Sequence, residues 1–288
     1  ERSCVVNILL EGLMVVGAFI GVIFNLSFVH IFGNATPWMA LLAAMVVASL
    51  FSILHAVASV SFRADQVVSG VAINLLAVAL CLFLVKKIYG KGQTDFVQER
   101  FLRDDIWLLE KIPFLGPMFF QNVYWTSVLA ISVAIIAWVI LYFTPFGLRL
   151  RSVGEHPMAA DTMGINVSRM RYIAVMISGG LAGIGGAIYS QSISQDFGHS
   201  TINGQGFMAL AAMIFGKWHP LGAMGAAVFF GFAQALSIVG GSIPIIKEVP
   251  SVFLLILPYV LTIFALAGFI GKANAPRALG TPYIKGKR

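Results

Sequence analysis

A chain of 288 residues that is 59% hydrophobic and only 11% charged is too apolar for an ordinary water-soluble domain. Its mean hydropathy of +0.90 is concentrated in runs of about 20 residues, the length at which a helix crosses a hydrocarbon core of about 30 Å. The net charge of +7 sits beside those runs, which is a topology signal and argues against a nucleic-acid partner.

Backbone polar groups in lipid must be paired within their own segment, and apolar runs without period-2 alternation select helices over a barrel. The expected fold class is all-α, a polytopic transmembrane bundle in a single domain, 1–288. Cys4 and Cys81, the two cysteines, have no Cys/His cluster near them, so a metal site or a disulfide framework is not expected.

In chain order the apolar runs are about Val5–Val29, Pro37–Val60, Val67–Val85, Tyr124–Thr144, Tyr172–Ile193, Gly206–Ile238 and Ser251–Ile270. The sixth is interrupted by GKWHP, Gly216 to Pro220, whose proline breaks an ordinary helix. A short helix, a turn and a returning helix are expected there, an arrangement tolerated in a membrane only where it is buried in protein or lines a cavity. The segment IWLLEKIPFLGPMFF, 106–120, reads as a short amphipathic helix at the interface.

Basic residues fix the orientation. Arg149, Arg151, Arg169 and Arg171 flank one loop, and Lys272, Arg277, Lys285, Lys287 and Arg288 lie in the tail, whereas between Lys86 and Lys111 six basic residues face five acidic ones. The positive-inside rule places the loop 145–171 and the tail 271–288 in the cytoplasm. Counting crossings from that loop, with the broken run entering and returning, leaves the tail inside, so parity and charge agree.

Polar groups inside the apolar runs are candidates for function. Glu11 lies in the first run with Asn7 four residues before it, one face of a helix. A carboxylate at membrane depth is costly and marks a cavity or a partner, unless it is a helix-end residue near the interface. Asn74 is open to two readings, helix–helix glue or a substrate contact. His55 reads as a satisfied interior residue. SGGLAGIGGA, Ser178 to Ala187, lacks the preceding strand and the acidic residue of a dinucleotide site, and its Gly179 and Gly183 form a GxxxG step for close helix packing. The sequence contains no GxxxxGK[ST], HExxH or GxSxG, so it offers no phosphate loop and none of the commonest hydrolase signatures.

The break at LRSVGEHPMAADTMGI, Leu150 to Ile165, reads as a two-turn helix outside the membrane, with Pro157 at its first position and Gly164 just past its end. Ala159, Ala160 and Met163 are expected to share a small, lightly apolar face. So short a helix needs support from flanking spans or a docked partner.

GLRLRSVGEHPMAADTMGINVSRMRY resembles the cytoplasmic coupling segment of bacterial ABC importer permeases of the ribose/branched-chain-amino-acid/nucleoside type. ERSCVVNILLEGLMVVGAF, RADQVVSGVAINLLA and GQGFMALAAMIFGKWHPLGA, in this order along the chain, resemble the nucleoside branch of that family. The resemblance implies a permease subunit that is not itself an enzyme, in a bacterial cell membrane, paired with a second related permease subunit as a heterodimer. It further implies a cytoplasmic ABC ATPase that binds ATP-Mg, a lipoprotein substrate-binding protein and a nucleoside substrate, with no cofactor in this chain. It assigns Gly154, Glu155, His156, Pro157, Ala159, Ala160 and Gly164 to a coupling helix seated in the ATPase. By the same resemblance the first run is a broken helix beside the translocation path, which takes in Asn7 and Glu11. Cys4 and Leu9 stand where members more often carry glycine. Members also begin with about one further span, so the chain is expected to lack one at its N-terminus. The competing readings are a secondary transporter that uses Glu11 as a proton or cation site and, more distantly, an intramembrane enzyme using Glu11 and His55.

Overall fold

The computed structural model describes residues 1–105, 121–239 and 275–285, together with Glu110, Pro113, Gly116, Phe253, Ile256 and Val260. The expected interfacial helix at 106–120 and the last run, Ser251–Ile270, fall almost wholly outside the described residues. Helices α1 (Leu10–Phe32), α2 (Thr36–Ala56) and α3 (Gln66–Tyr89) are followed by a two-strand ribbon of β1 (Arg103–Asp104) and β2 (Val123–Tyr124). Then come α4 (Trp125–Phe143), α5 (Pro145–Glu155), α6 (Pro157–Thr162), α7 (Val167–Tyr189), α8 (Gln205–Phe215) and α9 (Pro220–Val239). The run Leu10–Ser61, which contains α1 and α2, and the helices α3, α4 and α7 are long and apolar enough to cross a membrane. This is a multi-pass membrane protein of the all-α class.

Helices α1, α2 and α7 make the centre, and small residues set their spacing. A side chain added at Gly183 would meet the Ala48 methyl at 2.5 Å and the Ala44 carbonyl oxygen at 2.7 Å, and one at Gly179 would meet Ser52 Oγ at 2.6 Å. Gly17 of α1 lies against the backbone of Gly183 from the other side, and a Cβ added at Gly21 would sit 2.9 Å from the Ala187 methyl. Lipid tails are as apolar as leucine, so helices associate here through backbone approach and packing, which these glycines permit. The GxxxG step of α7 thus faces α2, and α1 closes over it.

Helix starts are set by local and distant acceptors. Asp65 Oδ1 accepts the Val67 and Val68 N–H groups, both at 2.9 Å, Thr144 Oγ1 accepts Gly147 N–H at 3.2 Å, and Asn166 Oδ1 accepts Arg169 N–H at 2.9 Å. These are side-chain caps of α3, α5 and α7. Helix α1 has none of its own. Its Gly12 N–H is taken instead by Asn74 Oδ1 of α3 at 2.7 Å, while Asn74 Nδ2 donates to the Ile8 carbonyl at 2.9 Å.

The first run is therefore not helical from Val5. Residues 1–9 form an irregular segment, with Cys4 at φ +68°, and the helix begins at Leu10. Asn7 precedes the helix, so it does not share a helical face with Glu11. The αL backbone of Cys4 is costly for any residue with a side chain, and a glycine would adopt it freely. Leu9, at φ −67°, makes no such demand.

The sixth run is broken as its proline requires. Helix α8 ends at Phe215, Lys217 and Trp218 both take left-handed backbone (φ 55° and 56°), and Pro220 opens α9. Gly216 packs against the Ala223 backbone so tightly that no side chain fits. At 1.5 Å per residue the 11 residues of α8 extend only about 16 Å, roughly half a bilayer core.

Candidate functional site

Helix α8 begins inside the bundle, beside the first turn of α1. Glu11 is 9% exposed; its Oε1 accepts Gly204 N–H at 2.6 Å and its Oε2 accepts Gly206 N–H at 2.7 Å. Each carboxylate oxygen therefore takes a free donor at the N-terminus of a half-length helix, where the helix dipole favours negative charge. Gly204 supplies the left-handed turn (φ +91°) that enters α8, and Gly206 lets the Glu11 backbone approach. Glu11 is thus buried, with both carboxylate oxygens committed to backbone donors. It clasps two discontinuous elements together.

Asn7 lies close by in the irregular segment, buried, its Nδ2 donating to Ser178 Oγ of α7 at 2.9 Å. Its Oδ1 is buried and has no hydrogen-bond partner among the described residues. Ser178 and Gln205, together with Glu1, Arg2, Ser3 and His219, supply polar groups to a cavity of about 700 Å³ lined by α1, α4, α5, α7, α8, the start of α9 and the N-terminal segment, its other walls apolar side chains such as Leu10, Met14, Ile136 and Leu181. Asn74 lies on the opposite side of the α1 start and spends both ends of its amide on the backbone. Of the three residues expected along a path, Asn7 and Glu11 are brought to the α8 entrance, and Asn74 braces the turn that carries them. Asn74→Leu leaves the buried Gly12 N–H and the part-buried Ile8 carbonyl unpaired, the first worth about 1–3 kcal/mol. A lower thermal midpoint of the detergent-purified chain is expected, and an unchanged midpoint would show that this brace carries no load.

His55 is fully buried, with Nδ1 3.1 Å from Ser69 Oγ and Nε2 3.0 Å from the Val6 carbonyl oxygen. It pins the N-terminal segment between α2 and α3. Among the described residues no group of His, Cys, Asp and Glu side chains forms a metal site.

The second constellation is the loop 145–171. Helix α6 is capped by its own flanks: His156 Nδ1 accepts Ala159 N–H at 3.2 Å, Gly164 (φ +80°) donates to the Asp161 carbonyl at 2.9 Å, and Ile165 N–H donates to the Ala160 carbonyl at 3.0 Å. That pair of C-terminal bonds is the Schellman arrangement, which explains Gly164. The expected small face is split. Ala160 is 3% exposed, packed with Leu150, Val153, Val167 and Met170, whereas Ala159 is exposed and Met163 is 83% exposed. Gly154 also turns inward: its carbonyl accepts the Cys4 thiol at 2.6 Å and its Cα lies against the Arg2 carbonyl. Glu155, His156, Ala159, Met163 and Gly164 make the outward surface, with Pro157 half-buried. Burial pushes the Cys4 thiol up to about 11, so at neutral pH it stays protonated and able to donate.

The loop and the α8–α9 turn lie on one side of the molecule. Arg2 Nε donates to the Trp218 carbonyl at 2.8 Å, and the Arg2 carbonyl oxygen touches Gly154. Residues 2–9 thus run from the loop to the Glu11 clasp. Sequence reasoning did not find this link, nor Gly204 and Gly206 as the clasp's donors; the only signal was a pair of glycines flanking the start of a short apolar helix.

Comparison with known proteins is consistent with this architecture. Over 288 residues the chain is 64% identical to the "Guanosine ABC transporter permease protein NupQ" of Bacillus subtilis (strain 168), covering all of this chain and 90% of the relative. It is 53% identical over 287 residues to the "Nucleoside ABC transporter permease protein NupC" of Lactococcus lactis subsp. cremoris (strain MG1363), covering 100% of this chain and 90% of the relative. A further protein of that strain, "Nucleoside ABC transporter permease protein NupB", is 24% identical over 299 residues, covering 98% of this chain and 79% of the relative. No solved structure matches. Residues 1–266 match the family described as "Branched-chain amino acid transport system / permease component", and with this match and these identities the chain belongs to that family of ABC transporter permeases.

Proposed function

We propose that this permease carries nucleosides, as one of two related membrane subunits of an ATP-driven importer. The observation that carries the reading is the 64% identity, over the whole chain, with a protein named as a guanosine permease. A polar nucleoside moved against a gradient needs an energy source, and this sequence has no phosphate loop. A cytoplasmic ABC ATPase that binds ATP-Mg supplies it in this reading. The capped helix α6 is its docking point, presenting Glu155, His156, Ala159 and Met163, with the basic loop and tail facing the cytoplasm. The second permease subunit is a relative of this chain, as NupB and NupC are two permeases named in one strain. A lipoprotein substrate-binding protein delivers the nucleoside at the opposite face.

At the centre, α8 and the segment before α1 form the path. Broken helices whose N-termini meet at mid-membrane are a recurring way to build a substrate site in transporters. The Asn7 carboxamide and Ser178 offer hydrogen bonds to base or ribose, and the Glu11 clasp holds α8 in place around them. A carrier driven by an ion gradient would need Glu11 to bind a proton or cation, but both of its oxygens are already committed to Gly204 and Gly206.

The test is purification of this chain from its native membrane with whatever is bound to it, followed by ATP hydrolysis with and without nucleoside. Co-purification of an ATPase and a second permease, with hydrolysis stimulated by nucleoside, is expected. A chain that purifies without an ATPase and still transports would overturn the reading.

A further inference from the structure

On the docking reading above, α6 is useful only if its orientation toward the membrane core is fixed, and six residues cannot fix it alone. The C-terminal segment 275–285 folds back onto this loop. Ala278 N–H donates to the Gly154 carbonyl at 3.2 Å, sharing that acceptor with the Cys4 thiol, and Gly280 N–H donates to the Cys4 carbonyl at 3.2 Å. Gly280 is left-handed (φ +76°), and a Cβ there would sit 3.7 Å from Val6 Cγ2. Three residues later the Tyr283 ring packs on the cluster of Leu150, Val153, Ala160, Val167 and Met170, with its buried hydroxyl near Asp161 of α6 and without a hydrogen-bond partner among the described residues.

Arg171 is the other half of the arrangement. It flanks the loop 145–171 as one of the basic residues that fix the orientation, and it is 1% exposed. Its Nη1 donates to the Thr281 carbonyl at 3.1 Å, and its Nε and Nη2 are buried without hydrogen-bond partners among the described residues. A buried guanidinium with one bond is costly. Its one bond goes to the tail.

We propose that segment 275–285 is a brace that positions α6, with Tyr283 as a positioning residue for coupling and with Arg171–Thr281 and Ala278–Gly154 as its anchors. The brace meets the Cys4 end of the segment that leads to Asn7 and Glu11, so a push on α6 reaches the clasp through Gly154 and Cys4 instead of being lost in loop motion. Coupling between distant sites needs such a contiguous, packed connection or a shared two-state element.

Two measurements on Tyr283→Ala test this. In the detergent-purified full chain, amide exchange across 157–164 is expected to rise about tenfold while α1 and α7 stay protected. In proteoliposomes holding the complete transporter, nucleoside delivered per ATP hydrolysed is expected to fall about fivefold or more, and Tyr283→Phe, which keeps the ring on the cluster beneath α6, is expected to restore most of it. Unchanged exchange at 157–164, or uptake and hydrolysis falling in parallel because the complex no longer assembles, would overturn the brace. The exchange measurement needs no ATPase. A wild-type chain that binds no ATPase would therefore remove the docking reading while leaving the exchange result to decide the brace by itself.

Discussion

Glu11→Ala is expected to abolish uptake while the chain still inserts in the membrane. The carboxylate accepts two backbone N–H groups at the start of α8, and hydrogen bonds to a charged group contribute about 1.5–3 kcal/mol each. Removing it leaves both donors buried and unpaired beside an uncompensated helix N-terminus, so the two losses add to about 3–6 kcal/mol at one joint. Helices α1, α2 and α7 do not depend on that joint, because their spacing is set by Gly17, Gly179 and Gly183. The damage therefore stays at the α8 entrance. Glu11→Gln keeps one carbonyl acceptor and brings an NH₂ up against the other donor, and an intermediate loss is expected. Uptake of radiolabelled nucleoside, normalised to the amount of chain in the membrane, gives the order wild type, Gln, Ala. Wild-type uptake by Glu11→Ala would show that the clasp is dispensable.

The second large effect separates the two alanines of α6. Ala160 points into the cluster beneath the helix, and Ala160→Trp overpacks it at about 1–3 kcal/mol or more, enough to unfold a loop helix with little stability of its own. Ala159 is exposed, and Ala159→Trp leaves the loop folded while blocking close approach of a partner. A loss of about 2.8 kcal/mol at that contact is about a hundredfold in association. Pull-down of the ATPase by solubilised variants is expected to fail for both, but protease resistance of the loop should be lost only in Ala160→Trp. Retention of the ATPase by Ala159→Trp would move the docking surface elsewhere.

The helices and the broken run were legible because their signals are local: run length, a proline inside an apolar segment, and glycines four apart on α7. The α6 helix was legible for the same reason, since Pro157 and Gly164 mark its ends. What each residue faces was not. Ala159 and Ala160 are neighbours of identical chemistry, and only the packing of Leu150, Val153, Val167 and Met170 decides that one is core and the other surface. Glu11 could be placed in a run but not against Gly204, 193 residues away. Asn7 looked helical by spacing, yet Asn74 takes over the capping of α1 and Cys4 turns the chain left-handed, so the helix starts three residues after Asn7. The tail read as charge alone, and its fold over Gly154 depends on tertiary contacts with no periodic trace.

The most direct measurement of the central claim is nucleoside uptake by proteoliposomes that contain this chain, its partner permease, the ATPase and the substrate-binding protein, with proton and sodium gradients collapsed by ionophores. Uptake that requires ATP, survives the loss of both gradients and disappears in Ala159→Trp is the predicted result; uptake that proceeds without ATP and stops when a gradient is removed would contradict it.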